Sequence, residues 1–302
     1  MLARHSHKAT QARELQTLDH GTLYVVATPI GNRDDLAPRA RQILSEVALI
    51  AAEDTRHTGR LLSHFGIKTA LLALHDHNEE QQVPGLIERL LAGESVALVS
   101  DAGTPLISDP GYRLVVAAHT AGVRVSPVPG PSSILAALSV AGLPSSTFAF
   151  EGFLPARTQA RRARLTELRN EPRTLVFLES VHKIKATLPD MIDLLGGERP
   201  AFIGRELTKM HEQCVRGTLD ELGGGIADGS ITSKGEFVLI VHGQDAEPQE
   251  EQGVSSAALL RALSDELPGK KAVDIVARLT GRRRNEVYRE MLAIRESASD
   301  DE

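Results

Sequence analysis

The chain has a single cysteine, Cys214, and no tryptophan among its 302 residues. One thiol excludes an internal disulfide framework and any multi-cysteine zinc or iron–sulfur centre, so a reducing, cytoplasmic setting is expected. Aromatic residues make up only 3% of the sequence, which disfavours a broad, flat, apolar binding cleft. No apolar run approaches the roughly 20 residues of a membrane span, and Met1 to His20 lacks the apolar stretch of a signal peptide. Positive charge is not in excess either. A formal net charge of -6 excludes a uniformly basic nucleic-acid binder and leaves any polyanion contact to local patches.

What is present is a soluble-type composition, 41% apolar, long enough for two domains with their own cores. The most informative stretch follows an apolar strand: Val99-Ser100-Asp101-Ala102-Gly103-Thr104-Pro105-Leu106-Ile107-Ser108-Asp109-Pro110-Gly111. Glycine permits positive φ, proline fixes φ, and Asp, Ser and Thr supply short hydrogen-bonding groups, a mixture that suits a ligand loop better than an ordinary turn. Two similar passages flank it. Leu23 to Ala27 runs into Thr28-Pro29-Ile30-Gly31-Asn32, and Val123 to Val128 runs into Pro129-Gly130-Pro131-Ser132-Ser133. Each reads as strand, rigid loop, helix. Loops leaving the carboxyl ends of neighbouring strands build the crevice of an open α/β sheet, so the three are expected to converge.

Strands predicted at Leu23–Ala27, Leu49–Ala52, Ala70–Leu74 and Val96–Ser100 alternate with helices near Pro38–Glu46, Thr58–Phe65 and Gln81–Ala92. That rhythm predicts an α/β domain over 21–128 with a largely parallel sheet, after a mobile tail over 1–20. A second α/β domain is expected over 129–243, opening with a helix Ile134–Ala141 capped by Ser132 or Ser133 and carrying strands at Thr147–Phe150, Leu175–Leu178, Ala201–Gly204 and Phe237–Val241. Residues 244–256 read as an acidic, Gln-rich linker, 257–296 as a helical module and 297–302 as an acidic tail.

These loops, in this order, resemble the tetrapyrrole methylase superfamily, and within it the branch of 16S ribosomal RNA 2′-O-ribose methyltransferases. The resemblance extends through Tyr24-Val25-Val26-Ala27-Thr28-Pro29-Ile30-Gly31-Asn32, Ala51-Ala52-Glu53-Asp54-Thr55-Arg56-His57-Thr58-Gly59 and Ser100 to Gly111. It continues through Pro129-Gly130-Pro131-Ser132, Glu151-Gly152-Phe153-Leu154-Pro155 and Arg205-Glu206-Leu207-Thr208-Lys209, close to the full length of the chain. It implies two α/β domains with S-adenosylmethionine in the cleft between them, a homodimer, and as target a cytidine ribose in the decoding region of the small ribosomal subunit. One departure is local: the run Phe177-Leu178-Glu179-Ser180-Val181-His182 lacks an aromatic directly before Glu-Ser. The Asp/Glu-x-Gly-x-Gly signature of the commonest methyltransferase architecture is missing after the first strand. Its one match, Glu221-Leu222-Gly223-Gly224-Gly225, reads as a Gly-rich turn.

Cofactor contacts are expected from Pro29, Ile30, Gly31, Ser100, Asp101, Gly103, Thr104, Pro105, Ser132 and Ser133, with helix amides favouring a carboxylate. By resemblance, Ile107 lines the pocket and Phe177, Leu178 and Glu179 approach from the second domain. A ribose hydroxyl needs a proton acceptor, and Asp101, Glu53, Asp54, Glu179, Glu206, His182 and Lys209 are the candidates. Asp101 is expected to orient cofactor or hydroxyl, with Glu179 or Lys209 handling the proton. Asp54, Arg56 and His57 read either as RNA contacts or as a helix cap with a salt bridge. The stretch around Arg157, Arg161 and Arg162, together with Arg205 and Arg282-Arg283-Arg284, is expected to position RNA through phosphates, though Arg205-Glu206 also reads as an internal ion pair. His75-Asp76-His77 reads as a loop, and no metal is assigned. Three readings of the chain remain open: RNA methyltransferase, methylase of a tetrapyrrole carbon, and non-catalytic assembly factor. The helical module reads as helix-turn-helix or, through Val273, Val276, Val287 and Met291, as a dimerisation hairpin.

Overall fold

The structure is a computed structural model that describes residues 21–244, 256–264 and 266–299. The expected N-terminal tail, the linker residues 245–255 and residues 300–302 of the expected acidic tail lie outside the described residues.

Five short strands, β1 (Thr22–Val26), β2 (Leu49–Ala52), β3 (Leu71–Ala73), β4 (Val96–Val99) and β5 (Arg124–Val128), form a wholly parallel sheet in the order β3-β2-β4-β1-β5. The central strands β2 and β4 are buried at every position, as apolar runs covered by helices on both faces must be. On one face, α1 (Pro38–Glu46) and α2 (Thr55–His64) close a core around Leu44, Ile50, Leu62 and Ala97. On the other, α3 (Glu79–Leu91) and α4 (Tyr112–Thr120) cover Leu49, Leu86, Leu90, Leu98 and Leu114. Pro127, which has no amide to donate, sits on the edge strand β5 opposite Val25, where that loss is tolerated.

After α5 (Ser133–Val140) the chain builds a second sheet from β6 (Phe148–Phe153), β7 (Thr174–Ser180), β8 (Pro200–Arg205), β9 (Gln213–Thr218) and β10 (Glu236–Val241). Its order is β6-β7-β10-β8-β9, with only the β6–β7 pair parallel. Helices α6 (Thr158–Glu167), α7 (Ile184–Leu195) and α8 (Leu219–Asp228) cover one face. The opposite face packs on α5 and on Ile30 from the loop after β1, in a core shared by both sheets that includes Ile134, Leu138, Val176, Phe202 and Val238.

Sequence periodicity leaves α6, α7, β9 and α8 unassigned, and α8 also corrects an expectation. Gly223–Gly225 are not a turn but the middle of a helix, started by a reciprocal Thr218–Glu221 capping box. A Cβ on Gly223 would come 2.7 Å from Ile192 Cδ1 of α7, so the missing side chain lets two helices approach closely. Phe177 is a second correction. It is fully buried among Leu175, Ile184 and Leu188 on the α6–α8 face and does not approach the cofactor side.

As a separate unit, α9 (Ser256–Ser264), α10 (Gly269–Thr280) and α11 (Arg284–Ser299) pack around Leu260, Val273, Val276, Val287 and Met291. The last four are 0 to 4% exposed, so they form the module's own core, and the face expected for a dimerisation hairpin is used within the module. Helix α11 also runs to Ser299, into the expected acidic tail. Truncating Phe177 to Ala is expected to cost about 3–5 kcal/mol of folding free energy. Urea unfolding measures it, and a loss below about 1 kcal/mol would contradict the buried placement.

Candidate active site

Because β4, β1 and β5 are neighbours, the loops at their carboxyl ends emerge side by side. They brace one another directly. Thr28 and Gly103 exchange backbone hydrogen bonds of 2.8 and 3.0 Å, the Thr28 hydroxyl donates to Ser100 O at 3.2 Å, and the Thr104 hydroxyl donates to Pro131 O at 3.2 Å. Ser132 caps α5, its Oγ accepting from the amide of Leu135. The expected convergence of the three loops is therefore a feature of the fold.

Between these loops and the ends of β7 and β10 lies a cavity of about 380 Å³. From the first sheet it is lined by Ile30, Glu53, Asp101, Ile107, Ser108 and Asp109; from α5 by Ser133; and from the second sheet by Phe153, Leu178, Ser180, Leu207, Lys209 and Glu236, among others. Of the expected cofactor contacts, Ile30, Asp101, Ile107, Ser133, Leu178 and Glu179 border it. Pro29, Gly31, Ser100, Gly103, Thr104, Pro105 and Ser132 do not line it; of these, Ser100, Gly103, Thr104 and Ser132 take part in the bonds above. Glu53 comes from the end of β2, next to β4, and its Oε2 accepts from the amide of Asp101 at 3.4 Å. Asp101 Oδ1 in turn accepts from the amide of Asp54 at 3.1 Å.

The four non-glycine residues with positive φ among the described residues all lie in the two loops that face this cavity. Leu106 and Ser108 (φ 72° and 67°) bracket Ile107, and Glu206 and Thr208 (φ 49° and 64°) bracket Leu207. Such backbone costs about 1–3 kcal/mol per residue and persists only where surroundings hold it. The holding groups are visible. Arg205, 6% exposed, donates to Lys234 O and His211 O, and Thr208 Oγ1 accepts from the amide of Asn32 in the loop after β1. A Cβ on Gly31 would come 2.4 Å from Lys209 Cγ, so glycine lets the loop of one sheet clasp that of the other.

Charge distribution separates the candidate proton acceptors. Burial raises the Glu53 carboxyl above its ordinary pKa, opposed by the Asp101 amide and reinforced by Asp109, Asp101 and Asp76. Asp109 is likewise raised, first by burial and then by Asp101. Lys209 does not suit the role of base. Its burial opposes charge, but ion pairs with Glu206 and Glu236, both at 2.9 Å, outweigh that and raise its pKa, so it stays protonated. The same contact overcomes burial to lower Glu206. Glu179 borders the cavity but is 2% exposed; its Oε2 accepts from the amide of Ser180, and Lys183, Thr187 and Arg161 are its interacting neighbours on the α6–α7 side. With its carboxylate packed away on the same strand face as Phe177, it is not an accessible acceptor. Asp54 caps α2, accepting from the Arg56 amide at 2.8 Å and holding the Arg56 guanidinium at 3.1 Å; these bonds lower its pKa to about 2. His182 is exposed and does not line the cavity.

Several arginines expected to meet RNA are committed elsewhere. Arg161 is 4% exposed and paired with Asp190 at 2.8 Å; Arg162 pairs with Asp190 and Asp193. Their acidic partners come from α7, a distant stretch of sequence. Arg205 is buried in the hydrogen bonds described above. Arg157, Arg56 and His57 are exposed, with Arg56 drawn to Asp54. In the helical module Arg283 is exposed, while Arg282 meets Glu290 at 2.6 Å and Arg284 meets Asp274 at 2.5 Å, both pairs half exposed. Among the described residues no group of three or more His, Cys, Asp or Glu is placed to hold a metal ion, and no helix is long and apolar enough to cross a membrane. Sequence reasoning missed Asp109 and Phe153 as lining residues. Asp109 stood in the very stretch singled out, whereas Phe153 reaches the cavity only through an irregularity in β6.

Residues 22–223 match the tetrapyrrole (corrin/porphyrin) methylase family, and residues 250–295 match the RsmI C-terminal HTH domain. Ribosomal RNA small subunit methyltransferase I of Xylella fastidiosa (strain Temecula1) is 54% identical over 269 residues, covering 89% of this chain and 98% of the relative. The protein of the same name from Pseudomonas aeruginosa is 53% identical over 274 residues, covering 90% and 97%. Among solved structures, uroporphyrin-III C-methyl transferase from Thermus thermophilus, complexed with S-adenyl homocysteine, superposes with a TM-score of 0.51 at 21% identity, covering 74% of this chain and 97% of the other. That last likeness concerns the fold alone.

The buried arginines give a direct check. Arg161→Gln and Arg205→Gln are expected to lower the melting temperature while leaving the salt dependence of polyanion binding unchanged. A reduced salt slope at intact stability would restore their expected surface role.

Proposed function

This chain belongs to the ribosomal RNA small subunit methyltransferase I family of tetrapyrrole methylases, and on that premise we propose that it methylates the ribose 2′-hydroxyl of a cytidine in the decoding region of 16S ribosomal RNA. The observation that carries the reading is the inter-sheet cavity, of a size for a nucleoside-bearing ligand and floored by the carboxylates of Glu53, Asp101 and Asp109. The methyl donor is S-adenosylmethionine, which supplies a methyl group on a cationic sulfur: the hydroxyl oxygen bonds to the methyl carbon, the carbon–sulfur pair stays on sulfur, and the hydroxyl proton departs to a base.

The residues present fit that donor. Acidic side chains favour a cation, the amides at the start of α5 near Ser132 and Ser133 favour a carboxylate, and Ile30, Ile107 and Leu178 supply apolar wall. Alignment dominates such a displacement, and the mutual bracing of the loops provides it. Asp101, held between Glu53 and the Asp54 amide, orients donor or hydroxyl. Glu53 takes the proton, since burial makes its carboxylate more basic than an ordinary glutamate. Lys209 acts as a fixed positive charge at the cavity wall. Exposed Arg56, His57, Arg157 and Arg283, with the half-exposed Arg282 and Arg284, are the remaining phosphate contacts for 16S RNA or the assembled small subunit. A homodimer fits the apolar side chains exposed on α4 and α5, including Tyr112 (71%) and Leu135 (59%). Similarity to the RNA methyltransferases over nearly their full length, terminal module included, favours RNA over a tetrapyrrole as substrate.

Labelled S-adenosylmethionine with small subunits or naked 16S RNA is expected to label one cytidine, whose 3′ linkage then resists alkali; label on a base or no label would refute the reading. Glu53→Gln is expected to lower turnover about 100-fold or more at saturating donor. In the wild type, the rate should fall as pH drops through a value above the ordinary glutamate range. Because the folded state binds the Glu53 proton more tightly, ionisation opposes folding. The Gln variant should therefore melt higher at neutral pH, a gain that disappears below the ordinary glutamate pKa. Unchanged turnover would remove Glu53 as acceptor.

A further inference from the structure

We infer that Phe153 is the platform on which the target nucleobase stacks at the mouth of the cavity. This rests on the RNA-methyltransferase reading above and names the residue that holds the reacting nucleotide.

The placement of Phe153 is unusual for a phenylalanine. It is 52% exposed, in a chain with only seven phenylalanines, three tyrosines and no tryptophan, and it lines the cavity. The other aromatic on the lining, Phe237, is 1% exposed and belongs to the core beneath. A dedicated device puts Phe153 there. In the parallel pairing of β6 with β7, Phe150 lies opposite Val176 but Gly152 lies opposite Phe177, so Glu151 is an extra residue, a β-bulge. Without the bulge, Phe153 would fall opposite Glu179, on the face covered by α6 and α7. With it, Phe153 falls opposite Leu178, which lines the cavity. A one-residue slip moves a side chain to the other face, and here it moves one aromatic ring out of a core and into a binding site.

The bulge is stabilised by its own contacts. Glu151 turns aside to accept from Arg164 at 2.6 Å, and Gly152 adopts φ +64°, where a side chain would be strained and its Cβ would lie 3.4 Å from Ser108 Oγ of the opposite loop. Lys183 Nζ lies 5.9 Å from the ring centroid, at the range of a cation–π contact. An exposed aromatic face beside a lysine is the pairing that receives an unstacked base and its phosphate in single-stranded RNA. The geometry also suits the chemistry. A ribose presented to carboxylates on the cavity floor leaves its base to be parked at the rim.

The test uses the full chain with small subunits and, separately, S-adenosylhomocysteine titrated by calorimetry. Phe153→Ala is expected to raise KM for the RNA substrate roughly tenfold, within the 5- to 150-fold range of a lost base–aromatic stack, with the affinity for S-adenosylhomocysteine unchanged. Phe153→Tyr and Phe153→Trp should restore KM, whereas Phe153→Leu, of similar bulk without a π face, should not. An unchanged KM in the Ala variant, or rescue by Leu equal to that by Tyr, overturns the inference. So does a loss confined to S-adenosylhomocysteine affinity, which would make Phe153 a wall of the donor site. If the wild type methylates no RNA at all, the underlying reading fails and this inference falls with it, an outcome distinct from the other three.

Discussion

The arrangement depends on three loops that hold each other in place. Thr28 and Gly103 exchange backbone hydrogen bonds across the ends of β1 and β4, and Thr104 reaches over to Pro131 after β5. The first pair joins adjacent strand ends and the second spans β1, which lies between β4 and β5 in a parallel sheet. Proline in the loops removes alternative conformations and glycine permits the backbone geometry these bonds need, so the loops are ordered before any ligand arrives. The polar residues they carry then face a common space as a consequence of sheet order.

The second sheet completes the site through close approach. Its loop from Arg205 to Lys209 carries two residues in left-handed conformations, anchored by a buried arginine and by the Thr208–Asn32 bond, and fits against a glycine of the first sheet. The facing loop has the same character at Leu106 and Ser108. Strain is concentrated on both sides of one cavity, and at no other non-glycine position among the described residues, and it persists because the surrounding bonds hold it. Between the strained loops, carboxylates held by backbone amides on one wall face an ion-paired lysine on the other, so the cavity is electrically asymmetric.

Much of this was legible beforehand. The parallel α/β half was written in short apolar runs, and the ligand loops in their Gly, Pro and Asp content. Arginine roles were not legible. The stretch from Arg157 to Arg164 reads as a basic patch until α7 supplies Asp190 and Asp193, and Arg205 reads as surface until its guanidinium is found donating to backbone carbonyls. Helix α6 lacked a readable apolar stripe because of its arginines, and in α8 the consecutive glycines read as a turn and turned out to be a packing surface. In the terminal module, an apolar face that looked available for a partner is consumed by Leu260 and its own three helices.

Local chemistry sets what a segment can become: which runs are strands, which loops are rigid, and which residues carry protons or charge. On those terms the sequence alone determined the α/β class, three rigid loops that converge at neighbouring strand ends, and the family to which it is similar. Tertiary structure decided which charged groups remain available, because pairing and burial depend on partners far away in the chain. It also decided which face a residue occupies: Phe177 went into the core, Glu179 followed it on the same strand face, and one inserted residue in β6 sent Phe153 the other way. Strand register is a property of two segments together, and no single segment encodes it.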